Sequence, residues 1–144
     1  MYRRILLAYD CSTFSPNLVH RCAELAQRCN AQLHILGVVV TTGAMAIAEA
    51  VGPPDVWSRE KDDLRRAIDP IVTALRTQGL DASAVIRRGA PAEQIATHAC
   101  EMDADLVVVA HGHPTVMTRW LQSARDARLL DRLQCSVLVI SGAS

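Results

Sequence analysis

The sequence predicts a doubly wound α/β domain, in which helices cover both faces of a parallel five-stranded sheet. Half of the residues are hydrophobic but only 3% are aromatic, and such an aliphatic bias is typical of parallel sheets buried on both faces. Short apolar runs alternate along the chain with stretches of helical periodicity. This alternation builds parallel sheets with right-handed crossovers. With a length of 144 residues, residues 1–144 are expected to form a single domain.

The first half of the chain predicts two strands and a helix between them. Arg3–Tyr9 is a short apolar run that forms the first strand. Pro16 suits the first turn of a helix that continues to Arg28, with apolar residues at helical spacing. Ala31–Val40 is the second strand, β-branched at its end. Residues 41–55 are irregular, because glycines and prolines punctuate them.

A long amphipathic helix is predicted next, over Val56–Thr77. Its apolar residues recur at helical spacing. Pro70 falls inside this helix and is expected to kink or divide it. Gly79 ends the helix.

The second half of the chain repeats the alternation. Ala82–Ile86 is the third strand, and Pro91 starts a helix after a Gly-Ala-Pro turn. Asp105–Ala110 is the fourth strand, a continuous apolar run that is typical of a fully buried parallel strand. Arg119–Leu133 is the last helix and Ser136–Ile140 the fifth strand.

Composition excludes several classes of partner. Lys+Arg and Asp+Glu number 15 each, so bulk charge predicts no nucleic-acid partner. No apolar run is long enough to span a membrane. The five cysteines lack CxxC spacing. Together with the absence of a signal peptide, this favours a reducing cytoplasm and buried, inert thiols.

The expected ligand site lies at the loops after the first and fourth strands. In doubly wound folds, ligands bind outside the carboxyl ends of the strands, where the strand order reverses. If the order is 3-2-1-4-5, the loops Tyr9–Ser15 and Ala110–Arg119 bound that crevice. A phosphate loop needs glycines, because backbone N–H groups must approach the anion closely. Between Ala110 and Pro114 only Gly112 is present, flanked by two histidines.

Five segments of the chain carry a family pattern through their order and spacing, although no single segment is specific. The segments are Ile5–Ser12, Leu33–Val39, Gly89–Ile95, Ala104–Ala110 and Cys135–Ile140. Together they resemble the universal stress protein family over essentially the whole chain. The resemblance implies a 3-2-1-4-5 sheet, a cytoplasmic protein and a homodimer. It also implies one of two branches, since some members bind ATP or AMP and others do not.

The resemblance places the family's glycine-rich nucleotide signature on residues that are not glycine. Its first and second glycines fall on Ala110 and His113, and its closing pair falls on Ser123-Ala124. Gly112 lies one position out of register. A position that needs φ > 0 would be strained by about 1–2 kcal/mol with alanine or histidine. The resemblance therefore indicates the branch without nucleotide, or altered binding.

Two further family positions bear on the nucleotide. The acidic residue that follows the first strand, and holds the ribose or adenine, is matched by Asp10 beside Tyr9. Val38 falls where the family packs a residue against the base. Asp10 also has a structural interpretation, because its carboxylate can instead cap the following loop or helix.

His111 and His113 leave three interpretations open. As two imidazoles on a turn they suit a metal, but no third ligand is evident and no metal is predicted. When protonated they suit a phosphate, together with Arg119 and Arg125. A solvated loop is the third interpretation.

Two other groups of side chains have structural explanations, and catalysis finds little support. Mixed charges along the last helix favour a salt-bridged solvent face, and Arg87-Arg88 is interpreted as a solvated strand end. Ser12, Ser15 and Cys11 are potential nucleophiles without an evident base. The pairing of Asp10 with His111 across the crevice is a weak candidate for catalysis.

The last strand is expected at the sheet edge, where an exposed apolar strand is a liability unless covered. Pairing with its twin in a second subunit covers it, and the alternative is a tail or loop of the same chain. The expected dimer residues are Val137, Leu138, Val139 and Ile140.

Three functional hypotheses follow. The first is a non-enzymatic, homodimeric stress-response or regulatory domain with weak or absent ATP binding. The second is an ATP- or AMP-binding protein that uses Asp10, Val38, the Ala110–His113 loop and Ser123. The third is slow nucleotide hydrolysis in the same crevice, for which the sequence offers no general base.

Overall fold

The computed structural model describes residues 2–9, 16–40, 55–89, 91–111 and 133–141. Their elements follow the order β1 (Arg4–Tyr9), α1 (Pro16–Cys29), β2 (Gln32–Val40), α2 (Asp55–Thr77), β3 (Ala82–Gly89), α3 (Pro91–Glu101), β4 (Leu106–His111) and β5 (Ser136–Ser141). The predicted helix Arg119–Leu133 lies outside these residues, apart from Leu133.

The described strands form a five-stranded sheet in the order β3-β2-β1-β4-β5, and every neighbouring pair is parallel. The predicted fold class and strand order are therefore confirmed. The main difference from the prediction is the length of β3, which continues beyond Ile86 to Gly89. Pro70 lies inside α2 without dividing it. Because Pro70 is on the exposed side of the helix, its missing N–H leaves the packing of the apolar face intact.

The two faces of the sheet support separate core layers. One layer lies between the sheet and helices α1 and α2, and the other lies between the sheet and α3. Alternate strand residues supply the two layers, so Leu7 belongs to the first and Leu6 to the second. Strands buried on both faces need apolar residues at successive positions, which explains the uninterrupted apolar run of β1.

Gly37 allows α2 to pack closely on β2. A Cβ atom at this position would lie 2.8 Å from Ile68 Cδ1 and 2.8 Å from Leu64 Cδ2. Both side chains are buried. The missing side chain of Gly37 is therefore a packing requirement.

Three helices end in a left-handed residue at the amino edge of the sheet. Asn30 (φ 53°), Gly79 (φ 89°) and Asp103 (φ 51°) follow α1, α2 and α3. In each case the next N–H reaches back to a carbonyl in the last helical turn, as from Ala104 to Ala99 at 2.9 Å. This arrangement satisfies helix-end carbonyls and directs the chain into the next strand.

Hydrogen bonds of Asp105 connect the start of β4 with the start of β1. Its carboxylate accepts hydrogen bonds from the N–H groups of Arg3 (2.7 Å) and Arg4 (3.1 Å). The backbone N–H of Asp105 donates to Arg4 O at 3.0 Å. Asp105 therefore fixes the amino ends of the two central strands against each other.

None of the three described helices is long and apolar enough to cross a bilayer.

Candidate functional site

The cleft expected to hold a ligand lies where the pairing of β1 and β4 ends. Their register ends at Leu7–Val108. Beyond that point, Tyr9 still pairs with Gly37 of β2, and His111 pairs with Ser141 of β5. The two central strands therefore continue toward the carboxyl edge without being paired to each other, and this is the switch point at which doubly wound folds bind ligands.

The side chains near the cleft divide between the two faces of the sheet. Tyr9 is buried, 3% exposed, and belongs to the core layer of α1 and α2. Val38 is half-buried and packs against the opposite layer, on the side of α3. Val109 is buried in that second layer too. Of the predicted nucleotide residues, Tyr9 and Val38 therefore share the carboxyl edge but project to opposite faces.

The fourth strand extends further than predicted. The sequence placed His111 on a turn, but this residue is the last of β4 and pairs with Ser141. Ala110 lies within the strand, in agreement with the predicted strand Asp105–Ala110, and pairs with Ile140. Only the prediction that His111 lies on a turn is wrong. The strand continues to His111 because β5 offers pairing partners up to Ser141.

Several predicted positions lie outside the described residues. They are Asp10, Cys11, Ser12, Ser15, Gly112, His113, Arg119, Ser123, Ala124 and Arg125. The structure thus defines the strand walls of the cleft, while the predicted contacts of these residues stay predictions.

The turn that leads from β3 into α3 depends on Gly89. This residue has a φ of 143°, a conformation that favours glycine. A Cβ atom here would also lie 2.8 Å from Gln94 Nε2. Gly89 therefore lets the end of β3 lie close to Gln94 in the first turns of α3, at the carboxyl edge.

Arg87 is not the solvated strand end that the sequence indicated. Its Nη2 atom lies 2.5 Å from Glu101 Oε2 on α3, and its side chain is 30% exposed. The ion pair connects β3 with the last turn of α3. Since β3 extends past Ile86, Arg87 is a strand residue whose side chain lies on the α3 side.

His98 of α3 is a half-buried histidine in the same region. Its side chain is 13% exposed, and neither ring nitrogen has a hydrogen-bond partner among the described residues. Burial lowers the pKa of His98, and the Arg87 guanidinium lowers it further, while Glu101 acts in the opposite direction. The imidazole ring of His98 is therefore kept neutral.

A serine–histidine pair was missed by the sequence reasoning. Ser83 Oγ and His34 Nδ1 are 2.7 Å apart, on adjacent positions of β3 and β2. His34 Nε2 lies 3.5 Å from Gln32 Oε1. Burial lowers the pKa of His34, Asp81 opposes the shift and Arg4 adds to it. Strand alternation places His34 and Ser83 on one face, but only the register brings them together.

The Ser83–His34 pair differs from the active site of a serine hydrolase in the group that orients the histidine ring. The ring is oriented by the Gln32 amide, whereas a carboxylate orients the base and stabilises its cation in serine hydrolases. The pair also lies in the amino half of the sheet, away from the cleft. Its geometry fits a hydrogen bond between the two strands.

Within the described segments, no group of three or more His, Cys, Asp or Glu side chains is arranged to hold a metal ion.

The fifth strand has two exposed apolar residues. β5 lies at one edge of the described sheet. Leu138 is 39% exposed and Val139 is 46% exposed, while Val137 and Ile140 are half-buried against opposite core layers. An open cavity of about 350 Å³ separates β5 from Arg21, Cys22 and Leu25 of α1.

Several solved structures have a similar fold. Universal stress protein UspA from Lactobacillus plantarum superposes with a TM-score of 0.71 at 22% identity, covering 96% of this chain and 97% of that one. A universal stress protein in complex with cAMP has a TM-score of 0.64 at 23% identity, covering 99% and 98%. The universal stress protein from Archaeoglobus fulgidus in complex with dAMP has a TM-score of 0.61 at 15% identity, covering 96% and 98%.

No curated protein sequence is significantly similar to this chain. The family model of the universal stress proteins, in contrast, matches residues 1–141. This match over nearly the whole chain, together with the β3-β2-β1-β4-β5 sheet, shows that the chain belongs to the universal stress protein family.

Proposed function

We propose that this protein is a non-enzymatic, homodimeric regulatory domain of the cytoplasm, whose central cleft binds ATP weakly or not at all. The observation that carries the proposal is the position of Ala110. This residue stands where the family signature has its first glycine, and it lies inside β4, paired with Ile140.

The geometry of β4 supports weak binding of phosphates. A phosphate loop works through backbone N–H groups that are free to point at the anion. Strand pairing of Ala110 and His111 with β5 uses backbone groups at the positions where that loop would begin. A glycine-rich turn would thus have to begin further along the chain.

The proposed dimer rests on the exposed apolar residues of β5. An edge strand with Leu138 and Val139 open to solvent is a template for pairing with another strand. A second copy supplies an identical edge, and twofold symmetry makes the contact self-complementary. The half-open cavity beside α1 gives side chains of the second copy a place to pack.

A regulatory role agrees with the chemistry of the described side chains. The Ser83–His34 pair is oriented by an amide and lies away from the cleft. The four described cysteines are free thiols, which supports a reducing compartment.

Calorimetry with ATP, ADP and AMP tests the weak-binding proposal. We expect no heat, or only millimolar affinity, with each nucleotide. The matched variants are Asp10→Ala, at the family's acidic position, and Asp69→Ala, on the exposed face of α2. Micromolar affinity that is lost in Asp10→Ala and kept in Asp69→Ala would overturn the proposal.

That outcome would establish the second candidate, an adenine-nucleotide-binding protein. The complexes of two structural neighbours with cAMP and dAMP favour it. In this candidate Asp10 holds the ribose or adenine, Val38 packs near the base, and the chain from Ala110 to His113 with Ser123 contacts the phosphates. AMP and cAMP would then bind at least as well as ATP, because a short phosphate chain needs fewer loop donors.

A further inference from the structure

Two cysteines from distant parts of the chain line one cavity at the amino edge of the sheet. The cavity has a volume of about 270 Å³ and lies between the last turns of α3 and the segment that leads into β5. Cys100 of α3 and Cys135, the residue before β5, both line it. Cys100 is exposed and Cys135 is half-buried, and both are free thiols.

Backbone hydrogen bonds hold the two cysteines near the same short segment. The N–H of Ser136, next to Cys135, donates to Asp105 O at 3.2 Å. The carbonyl of Ala99, next to Cys100, accepts from Ala104 N at 2.9 Å. Because Ala104 and Asp105 are consecutive, the residues next to the two cysteines are bonded to one dipeptide, and Ala104 lines the same cavity as Cys100 and Cys135.

The other described thiols have different surroundings. Cys22 lies on the buried face of α1. Burial raises its pKa to about 12, so it is an inert thiol. Cys29 lines a separate cavity with Arg3, Arg4 and Asp105. Nor does the Cys100–Cys135 cavity suit a metal, since the described residues contain no cluster of three metal-binding side chains.

We propose that Cys100 and Cys135 are a redox-sensitive pair that forms an intramolecular disulfide with a low-molecular-weight disulfide, such as oxidised glutathione, as the oxidant. A transient, regulatory bond of this kind is the usual form of disulfide in a reducing compartment. Its formation brings the two Cβ atoms to about 3.8 Å. The cavity between α3 and the start of β5 must therefore close.

The reaction is two consecutive thiol–disulfide exchanges. The exposed Cys100 thiolate attacks one sulfur of oxidised glutathione, and the other glutathione leaves as a thiolate that takes up a proton. The Cys135 thiolate then attacks Cys100 Sγ in the mixed disulfide and releases the second glutathione. Two protein thiols are oxidised, one glutathione disulfide is reduced to two thiols, and the two cysteine protons end on them.

The second exchange is expected to be the slower one. Burial raises the pKa of Cys135, and the Asp105 carboxylate raises it further. Less of this thiol is ionised at neutral pH as a result. The rate of closure should rise almost tenfold for each unit by which the pH increases, while the pH stays below that pKa.

Peptide mapping of the native protein after incubation with oxidised glutathione tests the proposal. We expect an intact mass two hydrogens lower and a peptide that links Cys100 with Cys135. Cys100→Ser should lose the crosslink, and Cys135→Ser should accumulate glutathione on Cys100. The matched variant Cys29→Ser should form the crosslink as the wild-type protein does.

Three results would overturn it. The first is a wild-type protein that keeps glutathione on Cys100 while Cys135 is still open to alkylation. The second is a crosslink of either cysteine to Cys11, Cys22 or Cys29. The third is a Cys100–Cys135 bond that forms equally fast in urea, because a pair positioned by the fold must react faster in the native state.

Discussion

Leu7 and Val108 form the last residue pair between β1 and β4, and both side chains are fully buried. The cleft at the carboxyl edge therefore begins directly above the most enclosed part of the core. Its position is fixed by strand pairing and core packing.

Gly37→Ala should destabilise the protein through the contact between β2 and α2. The new Cβ lies 2.8 Å from both Ile68 Cδ1 and Leu64 Cδ2, and overpacking of this kind costs about 1–3 kcal/mol. Urea unfolding measures the change. Ile68→Val, which removes the Cδ1 atom, should by itself cost about 0.5–1.5 kcal/mol.

The double variant Gly37→Ala, Ile68→Val separates crowding from a backbone effect. If crowding is the cause, the double variant loses less stability than the sum of the two single variants. Additive losses would show that Gly37 is required for another reason.

Asn30→Gly and Asp103→Gly should each stabilise the protein by up to about 1 kcal/mol. Both residues have positive φ, which costs residues with a Cβ about 1–2 kcal/mol. The greater backbone entropy of glycine in the unfolded chain offsets part of the gain. Thermal unfolding with Gly79→Ala as the reverse control checks this, since that variant should lose stability. A lower melting temperature for both glycine variants would contradict it.

Stability should fall on acidification because His98 is kept neutral. The unfolded histidine takes up a proton near pH 6.5, and the native one only at lower pH. Between those two pKa values the unfolded state binds more protons. The stabilisation is therefore fully present above about pH 6.5 and is lost as the pH falls toward the lowered pKa of His98.

Urea unfolding at several pH values measures that loss. In His98→Gln, the free energy of unfolding should decline less steeply below pH 6.5 than in the wild-type protein. The slope that remains includes the contribution of His34, whose pKa is also lowered. His20→Gln is the matched surface substitution, since the side chain of His20 is 74% exposed. Equal slopes for His98→Gln and the wild-type protein would refute this role of His98.

Leu138→Lys should convert the proposed dimer into monomers. Leu138 is exposed on the edge strand, and a lysine there places a charge in an apolar contact, a device that natural edge strands use against pairing. Analytical ultracentrifugation gives the mass in solution. Ala74→Lys, on the exposed face of α2, should remain dimeric. A dimer that persists in Leu138→Lys would reject pairing through β5.

The fold could be predicted from the sequence because each element has its own apolar periodicity. β1 and β4 are continuous apolar runs, and α2 has apolar residues on one face around Ile68. Element ends were less predictable. Whether His111 belongs to a strand or a loop depends on whether Ser141 is present to pair with it, and no local pattern contains that information.

The candidate site was predicted in part. Chain topology placed Tyr9 and Ala110 at the same edge, which the structure bears out. The Ser83–His34 hydrogen bond and the enclosure of His98 depend on the register of β2 with β3 and on the packing of α3. Contacts of this kind join residues that are distant in sequence, so periodicity alone cannot identify them.

The hydrogen bonds from Arg3 and Arg4 to Asp105 also bear on how the chain folds. They span 102 and 101 residues, whereas β2 and β3 pair with strands close by in sequence. Closing so long a loop costs more entropy than closing a short one, and distant pairings slow folding. We therefore expect the β1–β2–β3 half to assemble first and the central β1–β4 seam to close late, so that the edge where these two strands separate is among the last features of the molecule to form.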